Sequence, residues 1–309
     1  MRVRFHPTVI KVGNSAFLNR RKLKEVVLNE GLVNIGKDAF AGSDSLESMT
    51  IPSNVDEIDL AAFYMCRSLK KVVLNEGLKK IRGQAFISCE SLESITIPST
   101  VANIEEGAFY ECSNLKKVVL NEGLEKIDEY AFYGCSSLES ITIPSSVAEI
   151  GSYVFNQCSN LKEVVCIEGL PRVESTAFCG CPLLERITFP NLSFRLDDII
   201  RAGQVDVQNK IQQCINRSEM IEWERGGTIY IPMDVEVTRN NDIWKELKQR
   251  VDQIVKWIKY YEMKEATTIF ELALWKAKMD QVEDGEFRTR DECRVDVPGP
   301  VKDAIMQYL

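Results

Sequence analysis

Over residues 1–190 the apolar positions return every 23 residues without a slip. Phe17, Phe40, Phe63, Phe86, Phe109, Phe132, Phe155 and Phe178 mark the period, and every one except Phe155 follows an alanine. A leucine column from Leu23 to Leu184 and an Ile/Val column from Val12 to Val173 keep the same spacing. Each unit contains the pattern L-x-x-[VI]-x-[LI], as in Leu69, Val72 and Leu74, whose closing apolar alternation predicts a short β-strand. A proline (Pro52, Pro98, Pro144, Pro190) or an Asn-Glu-Gly turn (29–31, 75–77, 121–123) then ends it. Alternate units agree more closely at 46 residues: LKKVVLNEGLKKI at 69–81 returns as LKKVVLNEGLEKI at 115–127. The building block is therefore a pair of unlike 23-residue repeats.

One such strand cannot bury its own apolar edge. Stacked copies share a continuous core, and a 23-residue path between successive strands makes them parallel. The expected fold is an α/β-class solenoid of nine strands, the first a partial one at residues 1–5. At about 4.8 Å per strand its sheet is on the order of 40 Å long. The consensus L-x-x-[VI]-x-[LI]-[PN]-x-x-[LV]-x-x-I-x-x-x-A-F-x-x-C over residues 1–190 resembles the BspA-like class of leucine-rich repeats. The resemblance implies a right-handed solenoid that recognises other macromolecules, and it brings no catalytic residue, cofactor or metal with it. Where the commoner leucine-rich pattern has Asn or Cys after the strand, this chain has Gly77, Thr100, Gly123 and Ser146. The inward asparagine ladder of that pattern is accordingly not expected.

If the third and fifth residues after each strand leucine point inward, the second and fourth line an open face and the first flanks it. The first position alternates in sign without a break, as Lys24, Glu47, Lys70, Glu93, Lys116, Glu139, Lys162 and Glu185. The fourth alternates as strictly between Val and Thr. One reading makes this face a partner-binding surface of Lys71, Val73, Thr96, Lys117, Val119 and Thr142. The other makes the Lys/Glu column a ladder that holds stacking register, since exposed pairs contribute only about 0–1 kcal/mol each. A second candidate surface is the column after Ala-Phe, which presents Tyr64, Tyr110 and Tyr133 either to a partner or to the neighbouring coil.

After Pro190 the period fails, with Arg201 where the next Phe is due. This places a solenoid over 1–196 and a cap with a mainly α-helical region over 197–309. Residues 191–217 have the composition of a cap. MIEWERGGTIYIP reads as a hairpin around Gly226 and Gly227. Trp244, Leu247, Val251, Ile254, Ile258 and Tyr261 form one helical stripe. A capping box at Thr268 and Glu271 starts a second helix to about Met279, which favours an intramolecular helical hairpin with the first over a coiled-coil seam for dimerisation. Residues 280–296 read as loop, and Pro300 opens a short last helix. The stretch ATTIFELALWKAK with the later DECRV is similar to tails that follow such repeats in large families of eukaryotic algal proteins, which implies shared architecture and no activity.

Composition narrows the function classes. With 46 acidic against 38 basic residues, the chain is a poor electrostatic match for nucleic acid or anionic lipid. Its one histidine, His6, argues against Ser/His/Asp and Cys/His catalysis. Six of ten cysteines (Cys66, Cys89, Cys112, Cys135, Cys158, Cys181) obey the 23-residue period and read as small, unbridged core residues. Cys179 and Cys181 near Cys166 invite a metal reading that lacks a fourth ligand. No leader or membrane segment is recognisable, so an intracellular, cytoplasmic setting is the default expectation. The leading expectation is a non-catalytic protein–protein interaction or scaffold module, monomeric or weakly self-associating. The alternatives are a surface adhesion protein from a truncated precursor, and an enzyme or regulator in the C-terminal region.

Overall fold

The structure, a computed structural model, describes residues 1–174, 176–189, 221–223, 229–232 and 242–260. The solenoid turns as the period requires, and each coil contributes to three ladders. The first ladder is the long-strand series, nine strands from Arg2–Arg4 to Arg186–Thr188. Its partners are 23 residues apart, as in Val118 opposite Ile95 and Val119 opposite Thr96. The series forms two sheets, interrupted between Lys117–Leu120 and Ser140–Ile143. The second ladder was not foreseen as strand: eight two-residue strands, from Lys11–Val12 to Arg172–Val173, form a parallel sheet of their own around the Ile/Val column.

The third ladder runs through the Ala-Phe turns and has no regular strand at all. In one coil the amides of Gln84, Phe86 and Ser88 donate to Glu106, Ala108 and Tyr110 carbonyls of the next coil at 2.9, 2.8 and 2.8 Å. The alternate amides of Ala85, Ile87 and Cys89 donate within the coil instead, to Arg82, Gln84 and Phe86. This alternation needs left-handed backbone at two places per coil. Ser15, Asp38, Ala61, Gln84, Tyr130 and Tyr153 occupy the first column, and Asn19, Met65, Ser88, Glu111 and Gln157 the second, all at φ of 52–62°. Each such residue costs roughly 1–2 kcal/mol. The inter-coil bonds and the packing they permit outweigh it.

The 46-residue pairing also has a physical cause. The Glu122 carboxylate of an Asn-Glu-Gly turn accepts from the amides of Ser145 and Ser146 in the following Pro-Ser-Ser turn, both at 3.0 Å. Gly123 returns a bond to Ser146 Oγ at 3.1 Å. Glu76, Gly77, Ser99 and Thr100 repeat the arrangement two coils earlier. Glycine is required in these turns: at φ of 117° and 106°, a Cβ on Gly77 or Gly123 would lie 2.3 Å from the carbonyl oxygen of Ser53 or Ser99. The two kinds of repeat are thus complementary halves of one interlock. The turn asparagines also link coils, Asn75 and Asn121 donating to Ile51 and Ile97 carbonyls at 2.8 and 3.0 Å.

Inside, the phenylalanines form a spine. From Phe17 to Phe178 successive rings stack at 5.2–5.7 Å with their planes within 9° of parallel. Such pairs contribute about 0.5–1.5 kcal/mol each beyond the area they bury. Beyond Phe178 the spine ends on Trp244, 6.0 Å away and tilted by 38°.

Trp244 belongs to a helix over 242–260, the first helix of the expected helical hairpin, whose second helix lies outside the described residues. Trp244, Leu247, Val251, Ile254 and Ile258 are buried in the same core cluster as the last coils. Lys248 Nζ donates to the Leu170 carbonyl at 3.1 Å. The stripe covers the open end of the solenoid, because the end of a repeat stack exposes its core and needs a cap. The foreseen hairpin forms between Glu222–Trp223 and Ile229–Pro232, and its second strand pairs antiparallel with Arg186–Thr188. Sheet edge and core end are therefore closed by different elements. The cap expected at 191–217 and the elements expected at 268–279, at 280–296 and from Pro300 lie outside the described residues. No helix among the described residues is long and apolar enough to cross a membrane.

Candidate interaction surfaces

The long-strand sheet presents Lys71, Ser94, Thr96 and Lys117 to solvent, while Val72, Ile95 and Val118 between them are buried. Lys71, Val73, Thr96, Lys117 and Val119 share the six-stranded sheet. Thr142 lies beyond the interruption, on Ser140–Ile143. The Lys/Glu ladder expected along this face does not close: only Lys162 and Glu139 pair, at 3.4 Å. Lysines at this position stand free of the core on long tethers, and water solvates both charges as well as they solvate each other. Lys70, Lys71, Lys116 and Lys117 are exposed and in no ion pair. The two lysine pairs are two coils apart, roughly 9.6 Å at the usual strand spacing.

Charge ladders do form on the other sides of the coil. Arg82 bridges Glu57 and Glu105 at 2.5 and 3.0 Å beside the short strands. Both carboxylates raise its already high pKa through hydrogen bonds. Arg67 bridges Asp44 and Glu90 at 3.4 and 3.1 Å, and Arg21 extends that column at 3.6 Å from Asp44.

On the turn side Tyr110 and Tyr133 stack at 4.6 Å with planes 3° apart. Tyr64 stands two coils earlier with Ile87 intervening, outside the stack. Two tyrosines that the column reading missed complete the surface. Tyr130 and Tyr153 stack at 5.1 Å, and Tyr130 meets Tyr133 at 6.0 Å and 59°. Their signal was present in the sequence, since each stands two residues before a period phenylalanine. All four tyrosines are half-buried.

The cysteine column does more than fill space. Each thiol donates to the carbonyl of the phenylalanine 26 residues earlier, from Cys66 to Phe40 at 3.1 Å through Cys112 to Phe86 at 3.2 Å and Cys181 to Phe155 at 3.0 Å. Ser43 occupies the same column and makes the same bond to Phe17, at 3.1 Å. Burial pushes the thiols of Cys66, Cys112, Cys166 and Cys181 up to about 12, and those of Cys89, Cys135 and Cys158 well above the ordinary value. Such thiols are poor nucleophiles and poor metal ligands at neutral pH. Among the described residues no group of three or more His, Cys, Asp or Glu is placed to hold a metal ion. His6 is exposed, with Nδ1 2.8 Å from Thr8 Oγ1.

Parallel strands stacked every 23 residues around a phenylalanine spine define a leucine-rich-repeat solenoid. The chain belongs to the BspA-type leucine-rich-repeat family: the profile described as BspA type leucine rich repeat region matches residues 2–102 and 79–200. A leucine-rich repeat protein from Bacteroides ovatus is similar at 27% identity and a TM-score of 0.50, over 60% of this chain and 54% of that one. The chain thus spans about half the length of that relative. The Treponema pallidum (T. pallidum) leucine rich repeat protein is similar at 28% identity and a TM-score of 0.48, over 52% and 77%. The pneumococcal vaccine antigen PcpA is similar at 26% identity and a TM-score of 0.47, over 60% and 50%. The search of curated proteins found no match.

Proposed function

We propose that the chain is a non-catalytic protein–protein interaction or scaffold module whose open sheet face takes an acidic segment of a partner protein. Proteins of this family are in general interaction or surface modules. The observation that carries the reading is Lys70, Lys71, Lys116 and Lys117, exposed on one rigid face and in no ion pair, while Arg67, Arg82 and Lys126 elsewhere on the coils are held by carboxylates. Val73 and Val119 add half-buried apolar surface beside them. Lysine-led contacts without Trp or Arg anchors favour a modest affinity raised by multivalency. The test is quantitative capture from native lysate with the full chain and with its K71E/K117E variant. A partner recovered by the first and depleted about tenfold with the second supports the assignment. Equal recovery of every partner removes the sheet face from it.

A further inference from the structure

Tyr133, alone of the stacked tyrosines, lines a groove of about 580 Å3 on the turn side, walled also by Glu111, Gly134, Ser136, Gln157 and Ser159. The turn segments 105–113, 128–136 and 151–159 around it contain no lysine or arginine. Glu105 and Asp128 are already paired, with Arg82 at 3.0 Å and Lys126 at 2.9 Å. Glu106, Glu111 and Glu129 are exposed and in no ion pair, and the Glu111 carboxylate accepts from Ser88 Oγ at 3.4 Å. Stacking at 4.6 and 5.1 Å covers one face of each ring in the two tyrosine pairs and leaves the other face unstacked, and Tyr133 lines the groove. Burial first, and then the Glu111 carboxylate, raises the Tyr110 phenol above its ordinary value.

We propose that this groove docks an arginine-bearing segment of a partner polypeptide, its guanidinium lying against Tyr133 and pairing with Glu111. A planar guanidinium meets a carboxylate through two parallel bonds and stacks flat on an aromatic ring, two geometries that a compact ammonium does not reproduce. The surface lies on a different side of the coil from the lysine face and takes the opposite charge, so the two assignments fail independently. The test measures fluorescence anisotropy of labelled octa-arginine and octa-lysine peptides on the full chain at physiological salt. Two variants accompany it: E111Q/E129Q, which removes the groove carboxylate and the one beside Tyr130 in the chain, and E47Q/E93Q, which removes two carboxylates from the sheet face. The expected result is tighter binding of octa-arginine than of octa-lysine, weakened about tenfold by E111Q/E129Q and less than about twofold by E47Q/E93Q. Thermal melting shows whether both variants remain folded, as exposed carboxylate-to-amide changes should leave them. Equal binding of the two peptides, or equal weakening by the two variants, overturns the proposal.

Discussion

On the sheet face, an outward residue such as Lys71 or Thr96 touches neither the core nor an ion-pair partner, whereas on the turn side nearly every residue has a duty to the next coil. Phe86 stacks on both neighbouring rings at 5.2 Å, Cys112 donates to the Phe86 carbonyl at 3.2 Å, and Ser88 holds left-handed backbone to reach Tyr110. A strand needs only every second side chain for its core, so the others are free to vary. An irregular turn has no such surplus: its hydrogen bonds depend on unusual backbone, and the packing that holds this backbone is supplied by the same residues. Stability is therefore concentrated on the turn side and freedom for recognition on the sheet side, with the tyrosine groove as the place where the turn side regains a surface.

The largest expected effect concerns the thiols and would break the comparison if absent. Cys66, Cys112 and Cys166 have pKa values raised from 9.0 to about 12. A raised pKa means that the unfolded chain releases these protons first. The stabilisation is fully present below pH 9 and is lost between pH 9 and 12, at about 1.4 kcal/mol per pH unit for each thiol. Urea midpoints measured from pH 8 to 10.5 should fall steeply, and a flat profile would contradict burial as the cause. Next in size, Phe109→Ala removes a ring that is 0% exposed and stacked on both sides. It should cost about 3–5 kcal/mol in denaturant unfolding, and a loss under 1 kcal/mol would show that the spine is dispensable.

A finer comparison uses the column itself. Cys112→Ser keeps a donor for the Phe86 carbonyl, as Ser43 does for Phe17, whereas Cys112→Ala removes it. The alanine variant should lose about 1 kcal/mol more than the serine variant. The opposite order would make the thiols mere fillers of volume. Smallest of all, Lys71→Ala and Lys117→Ala should change stability by less than about 0.5 kcal/mol in the same unfolding measurement. A larger loss from either would mean that the sheet face, too, is committed to holding the stack.

Much of this was legible in the residues. A buried column repeats because every coil offers the same environment, so Phe, Leu, Ile and Cys announced the solenoid, its nine long strands and its core. The NEG turns announced their own partners through the 46-residue repeat once the pairing of Glu122 with Ser145 and Ser146 is known. Exposed columns were less reliable. Alternating Lys and Glu suggested a ladder that closes only at Lys162, because opposite charge at the right spacing does not require contact when water competes. Tyr130 and Tyr153 escape the column after Ala-Phe because they stand two residues before the period phenylalanine, and only the turn's folding back brings Tyr130 beside Tyr133 and Tyr153 beside Tyr130.

The sequence by itself determined the period, the inward columns, the parallel stacking and the position of the hairpin, since each follows from which side chains must leave water at a fixed spacing. Tertiary structure alone decided how the stack is closed and where its surfaces lie. The stripe of Trp244, Leu247 and Val251 states that the helix has an apolar face and says nothing of what covers it. The last coil does, because it ends in an open core with Phe178 at its centre, and a helix laid across it buries both apolar surfaces at once.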